Sequence, residues 1–144
     1  MNLDHVGLSV ADLDAQARWY AGALDLEEST PFALEPLGLR GVFLVDREHG
    51  WAIELLHRTG SRPGLQAADP PEAILTQGYG HICLRVEDVD ATYDRLIAAG
   101  ATDRMAPRPA PEPGVRMAFV ADPEGHLIEL LDRGGPVGWR DGEA

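Results

Sequence analysis

The stretch Gly125-His-Leu-Ile-Glu-Leu-Leu131 reads as a short apolar strand with one carboxylate, Glu129, in its middle. Gly50-Trp-Ala-Ile-Glu-Leu-Leu56 repeats it with Glu54 in the same place. A carboxylate held in an apolar strand without a partner is costly. One such residue is ordinary at a half-exposed position. Two in the same seven-residue frame, identical at five positions, mark a duplicated chain whose glutamates share a task.

Upstream of each glutamate strand the same order of elements recurs. Leu3-Asp-His-Val-Gly-Leu-Ser-Val10 alternates as a strand does, with Val6, Leu8 and Val10 on one face and Leu3, His5, Gly7 and Ser9 on the other. Asp12 then caps a helix whose apolar stripe is Leu13, Ala17, Tyr20 and Leu24. Ser29–Leu34 is a weak strand whose proline suits a sheet edge, and Leu39–Val45 is a stronger one. Asp46-Arg-Glu-His-Gly50 turns into the first glutamate strand. The first module, about residues 1–57, is therefore βαβββ.

Residues 58–77 carry Gly60, Pro63, Gly64, Pro70 and Pro71, and read as a linker. The pattern then restarts. Tyr79–Val86 alternates with Ile82, Leu84 and Val86 toward the helix and Tyr79, His81, Cys83 and Arg85 away from it. Asp88 caps a helix striped by Val89, Tyr93, Leu96 and Ile97 and ended by Gly100. A proline-rich strand or loop (102–114), the strand Val115–Val120 and the turn Asp122–Gly125 lead into the second glutamate strand. Module 2 thus covers 78–132. Residues 133–144 read as a mobile tail, with Trp139 a candidate anchor.

The repeat is quantitative. Val10-Ala-Asp-Leu-Asp-Ala15 matches Val86-Glu-Asp-Val-Asp-Ala91 at four of six positions with an offset of 76, which also places His5 on His81. An offset of 75 places Glu54 on Glu129. Singly, a strand histidine is usually a hydrogen-bonded packing residue and a strand glutamate a solvated carboxylate. All four at repeat-equivalent positions point instead to a divalent transition-metal site, where two carboxylates neutralise the cation. Six-coordination would leave two positions open, suited to water or to a substrate chelating through adjacent oxygens. Such chelation favours proton abstraction beside a carbonyl. Nickel, cobalt, zinc, manganese and iron all suit the donor set.

Composition bounds the rest. A chain of 144 residues suits one domain, 1–132 plus the tail. With no long apolar run, no secretory leader and one cysteine, Cys83, the expectation is a soluble cytoplasmic protein. The net charge of −12, with every cation an arginine, disfavours nucleic acid. Cys83 reads as a pocket-wall residue, Arg85 as a surface arginine and candidate substrate anchor, and His49, His57 and His126 as surface or packing residues. Trp19, Tyr20 and Trp51 read as core and interface material.

The segments Asp4–Asp14, Ala52–Leu56, Gly80–Val86 and Phe119–Leu131 together resemble the vicinal oxygen chelate superfamily, over roughly residues 2–132. The resemblance implies an α+β fold of two tandem βαβββ modules forming a half-open barrel around the metal, frequently as a homodimer and in some members with a shared site. Its His-Glu-His-Glu set looks most like glyoxalase I, which isomerises a thiohemiacetal through a metal-held enediolate. By that resemblance Glu129 is the leading base, and Glu54 a ligand and second proton carrier. Glutathione-type members carry an arginine four residues after the first histidine, where this chain has Ser9. Arg85 is the matching residue of the second module, so Ser9, Cys83 and Arg85 are candidate substrate contacts. The superfamily also offers a methylmalonyl-CoA epimerase-like isomerase, an extradiol dioxygenase (typically two histidines and one glutamate, so a fourth ligand argues against it) and a bleomycin-resistance-like binder, which generally lacks the ligands.

Overall fold

The computed structural model describes residues 2–135, 137 and 138. The chain divides into two compact units, Met1–Gly64 and Leu65–Ala144. Each is an open sheet with one long helix on one face, and together they make an α+β fold.

In the first unit, β1 (His5–Ser9) leads through α1 (Leu13–Leu24) to β2 (Glu27–Glu28), β3 (Phe32–Leu34), one 3₁₀ turn (Glu35–Leu37), β4 (Leu39–Asp46) and β5 (Trp51–Arg58). The sheet order is β1-β5-β4-β2, with β3 also pairing with β4. β1 runs parallel to β5. Asp12 starts the helix by accepting from the Ala15 N–H at 2.9 Å. The helix buries Leu13, Ala17 and Tyr20, as its stripe predicts, together with Gln16 and Ala23. Val42 and Leu44 of β4 and Ile53 and Leu55 of β5 are buried on alternate positions of their strands. Burying each such aliphatic side chain stabilises the fold by about 1.5–3 kcal/mol.

The second unit repeats the plan after a short helix, α2 (Pro70–Ala73). β6 (His81–Arg85), α3 (Val89–Ala98), β7 (Thr102–Pro109), β8 (Arg116–Ala121) and β9 (Leu127–Asp132) form a sheet of order β6-β9-β8-β7, with β6 parallel to β9. Ala118, Val120, Ile128 and Leu130 are completely buried at positions equivalent to Val42, Leu44, Ile53 and Leu55. The prolines of β7 are accommodated because it is an edge strand, where a missing N–H breaks no ladder.

The first unit departs from the expected βαβββ order, since the Ser29–Leu34 stretch is a strand only at β3 and an extra two-residue strand, β2, pairs with β4 ahead of it. Two further features go beyond the sequence expectation. The first is α2 itself, which lies in the segment expected to be a linker. It is capped by Asp69, which accepts from the Glu72 N–H at 2.8 Å. Prolines at a first helical turn lose no hydrogen bond, so they start this helix rather than break it. Ala67 and Ala73 pack against Ala121 and Leu127, which joins the segment to the second unit. The second feature is a duplicated ion pair. Arg40 meets Asp14 at 3.0 Å, and Arg116 meets Asp90 with two nitrogens, each pair tying a strand to the first turn of the helix. Most of the proposed tail, Trp139 included, lies outside the described residues.

Among the described residues no helix is long and apolar enough to cross a membrane.

Candidate metal centre

Parallel pairing sets the geometry of each half-site. In the first unit His5 pairs with Ala52 and Gly7 with Glu54, so histidine and glutamate stand two residues apart along one ladder, on the same face. In the second unit His81 pairs with Leu127 and Cys83 with Glu129, the same offset. Nε2 of His5 lies 3.5 Å from Oε2 of Glu54, and Nε2 of His81 lies 3.1 Å from Oε2 of Glu129. Both glutamates are largely covered, at 20% and 15% side-chain exposure, while both histidines stay about 40% open. Two carboxylates covered to this degree in a chain of net charge −12 are a standing electrostatic cost that a cation would relieve.

The donor set fits a metal by distance and by chemistry. Two ligands bound at about 2.1 Å and at right angles to one another lie about 3 Å apart, close to both observed separations. In the first unit Asp4 Oδ1 lies 2.7 Å from His5 Nδ1. A carboxylate only accepts, so Nδ1 carries the proton and Nε2 is the nitrogen left to coordinate. Glycine occupies the equivalent position in the second unit, Gly80, so His81 lacks that carboxylate.

The structure therefore brings His5 to Glu54 and His81 to Glu129, each pair within its own unit. Among the described residues no group of three or more His, Cys, Asp or Glu side chains is gathered for a metal. Cys83 stands beside Glu129, and Ser9 and Arg85 lie two residues further along their strands; all three are exposed.

Each half-site also contains an aromatic ring that the sequence reading passed over. The His5 ring meets Phe43 edge to face at 5.3 Å and 84°, and the His81 ring meets Phe119 at 5.3 Å and 80°. Phe43 is the cross-strand partner of Glu54, and Phe119 that of Glu129. The offset of 76 that aligns the histidines also aligns the phenylalanines, and that was the available signal.

The histidines expected to be surface or packing residues have definite roles. His49 Nδ1 donates to Asp46 Oδ2 at 2.8 Å, and His126 Nδ1 donates to Asp122 Oδ2 at 2.8 Å. Asp122, 1% exposed, also accepts from the N–H groups of Glu124 and His126. These Asp–His pairs close the turns that precede the two glutamate strands. His57 Nδ1 donates to the Val10 carbonyl at 3.1 Å, fastening the end of β1 to β5.

Comparison with known proteins follows the same lines. A sequence model of the Glyoxalase/Bleomycin resistance protein/Dioxygenase superfamily matches residues 2–130. A probable lactoylglutathione lyase from Vibrio cholerae is 32% identical over 134 residues, covering 88% of this chain and 87% of that protein. An ethylmalonyl-CoA/methylmalonyl-CoA epimerase from Cereibacter sphaeroides is 37% identical over 99 residues, 69% of this chain and 71% of that protein. Among solved structures, the trypanothione-dependent glyoxalase I of Leishmania major superposes with a TM-score of 0.67 at 26% identity, covering 92% of this chain and 86% of that one.

Proposed function

The chain belongs to the Glyoxalase/Bleomycin resistance protein/Dioxygenase superfamily, and from that premise we propose that it is a metal-dependent lyase or isomerase of glyoxalase I type. The observation that carries the reading is the twice-built His–Glu pair, with Nε2 and Oε2 at ligand-to-ligand distance in both units. The relatives with lactoylglutathione lyase names support it.

His5, Glu54, His81 and Glu129 would together hold one divalent cation. When bound, that cation supplies Lewis acidity at the substrate oxygens and so lowers the barrier to losing the proton on the neighbouring carbon. The chain's own residues do the rest. Glu129 takes the C–H proton from the carbon of the thiohemiacetal that bears hydroxyl and sulfur. It returns a proton to the adjacent carbon, and the first carbon becomes the thioester carbonyl. Glu54 moves the proton between the two oxygens. A positioned carboxylate base of this kind contributes about 10²–10⁴-fold in rate. Ser9 occupies the position of the first-strand arginine that would hold glutathione, and Arg85, the matching residue of the second module, is the candidate anchor for a different thiol. The active species is proposed to be a homodimer acting on a small oxygenated molecule.

The test is thioester formation, followed by ultraviolet absorbance, from a 2-oxoaldehyde mixed with a series of thiols, using protein loaded in turn with nickel, cobalt, zinc, manganese or iron. Turnover with at least one thiol is expected. The epimerase-like relative favours a second reading, racemisation of an acyl-CoA by the same carboxylate pair, read as deuterium uptake beside the carbonyl. Inactivity of metal-loaded protein in both assays would sink the proton-transfer reading.

A further inference from the structure

Apart from the ligands themselves, each half-site repeats a ring contact beside its histidine. The two His–Phe pairs share a centroid distance of 5.3 Å and interplanar angles of 84° and 80°. In both units the phenylalanine is the cross-strand neighbour of the glutamate that faces that histidine. An imidazole turns about its last side-chain torsion in a broad, two-fold well, so the backbone alone does not aim Nε2. A ring packed edge to face against the imidazole restricts that rotation, and a restricted plane keeps Nε2 directed at the carboxylate.

The halves differ in what else orients the histidine. Asp4 holds Nδ1 of His5 at 2.7 Å, while Gly80 offers His81 no carboxylate. Phe43 is itself backed by Phe32, at 5.9 Å and a tilt of 35°, whereas Phe119 is 6% exposed.

We infer that Phe43 and Phe119 are positioning residues that set the imidazole planes of His5 and His81 for a cation, with Phe119 carrying the larger share. This rests on the metal reading above.

The experiment is calorimetric titration of the full chain with Co(II), alongside the visible spectrum of the bound ion. Phe119→Leu keeps the site apolar but removes the ring, and is expected to weaken Co(II) binding about tenfold. Phe43→Leu should weaken it less, because Asp4 still holds His5. Phe119→Tyr, which retains the ring, should bind within about twofold of the parent. If Phe119→Leu does not fold, Phe119→Met replaces it. The histidine ring-proton shifts of the metal-free parent, displaced by a phenylalanine ring current, provide a second measurement that needs no variant. Unchanged affinity in a folded Phe119→Leu, or equal losses with leucine and tyrosine, overturns the inference while leaving the metal reading intact. A parent chain that does not bind Co(II) or any other divalent ion overturns both.

Discussion

Cys83 stands directly opposite Glu129 in the parallel ladder of β6 and β9. Burial, and then the neighbouring carboxylate, with which the thiol shares a hydrogen bond, push the thiol up to about 12. The first module has Gly7 in that place, opposite Glu54, where even an added Cβ would sit 3.6 Å from the Glu54 carboxylate. One glutamate is therefore walled by a thiol and the other faces open backbone. This is the clearest break in an otherwise duplicated site.

Cys83 should be a poor nucleophile in the metal-free protein. Although Cys83 itself is exposed, the packing around its sulfur and the Glu129 carboxylate push the thiol up, so little thiolate is present at pH 8. Iodoacetamide labelling at pH 8 is expected to be far slower than for a free thiol and to rise steadily through pH 10. Glu129→Gln removes the neighbouring charge and should accelerate labelling. Fast labelling of the parent at pH 8 would contradict the contact.

Gly41 is required by the ring behind Phe43. A Cβ there would fall 2.4 Å from Cζ of Phe32. Gly41→Ala therefore displaces Phe32 and should cost about 1–3 kcal/mol of stability, the range for overpacking. It should also shift the His5 ring protons, because Phe32 supports Phe43. Denaturant melts and proton spectra check the two effects separately.

The Asp122–His126 pair makes part of the stability pH-dependent. The hydrogen bond to Asp122 raises His126 above its ordinary value, against the opposing effect of burial. A raised histidine contributes stability that is fully present below its unfolded value, and that is lost as pH rises through the folded one. His126→Gln should accordingly lower the melting temperature more at pH 5.5 than at pH 9. A difference that is constant or grows with pH would show that the pair acts only through shape.

Ligand and base functions separate in two variants. His81→Ala should lose the metal, read by elemental analysis after dialysis. Glu129→Gln keeps an oxygen donor but not a proton acceptor. It should retain some metal while turnover falls by about 10²–10⁴-fold.

The local elements were legible because their signals are local. Alternation over five to eight residues located β1 and β6, Asp12 and Asp88 marked the helix starts, and the internal repeat aligned His5 with His81 and Glu54 with Glu129, whereas the two-residue strand β2 is too short to leave a periodic signal. Helix α2 is hidden in the sequence because prolines ordinarily break a helix, whereas at a first turn capped by Asp69 they start one. Strand β7 is ambiguous between strand and loop because its prolines are neutral only on an edge, and edge position is not written in the segment itself.

The sequence by itself determined the module, its duplication, the face each histidine and glutamate would occupy, and the family. Tertiary structure decided what stands beside them: Phe43 and Phe119 against the imidazoles, Cys83 but not a side chain at Gly7 opposite the glutamate, and Asp–His pairs closing the turns. The reason is register. Which residues share a face follows from the period of a strand, but which residues meet across strands depends on pairings between segments up to about 50 positions apart, and those are fixed only when the sheet closes on its helix.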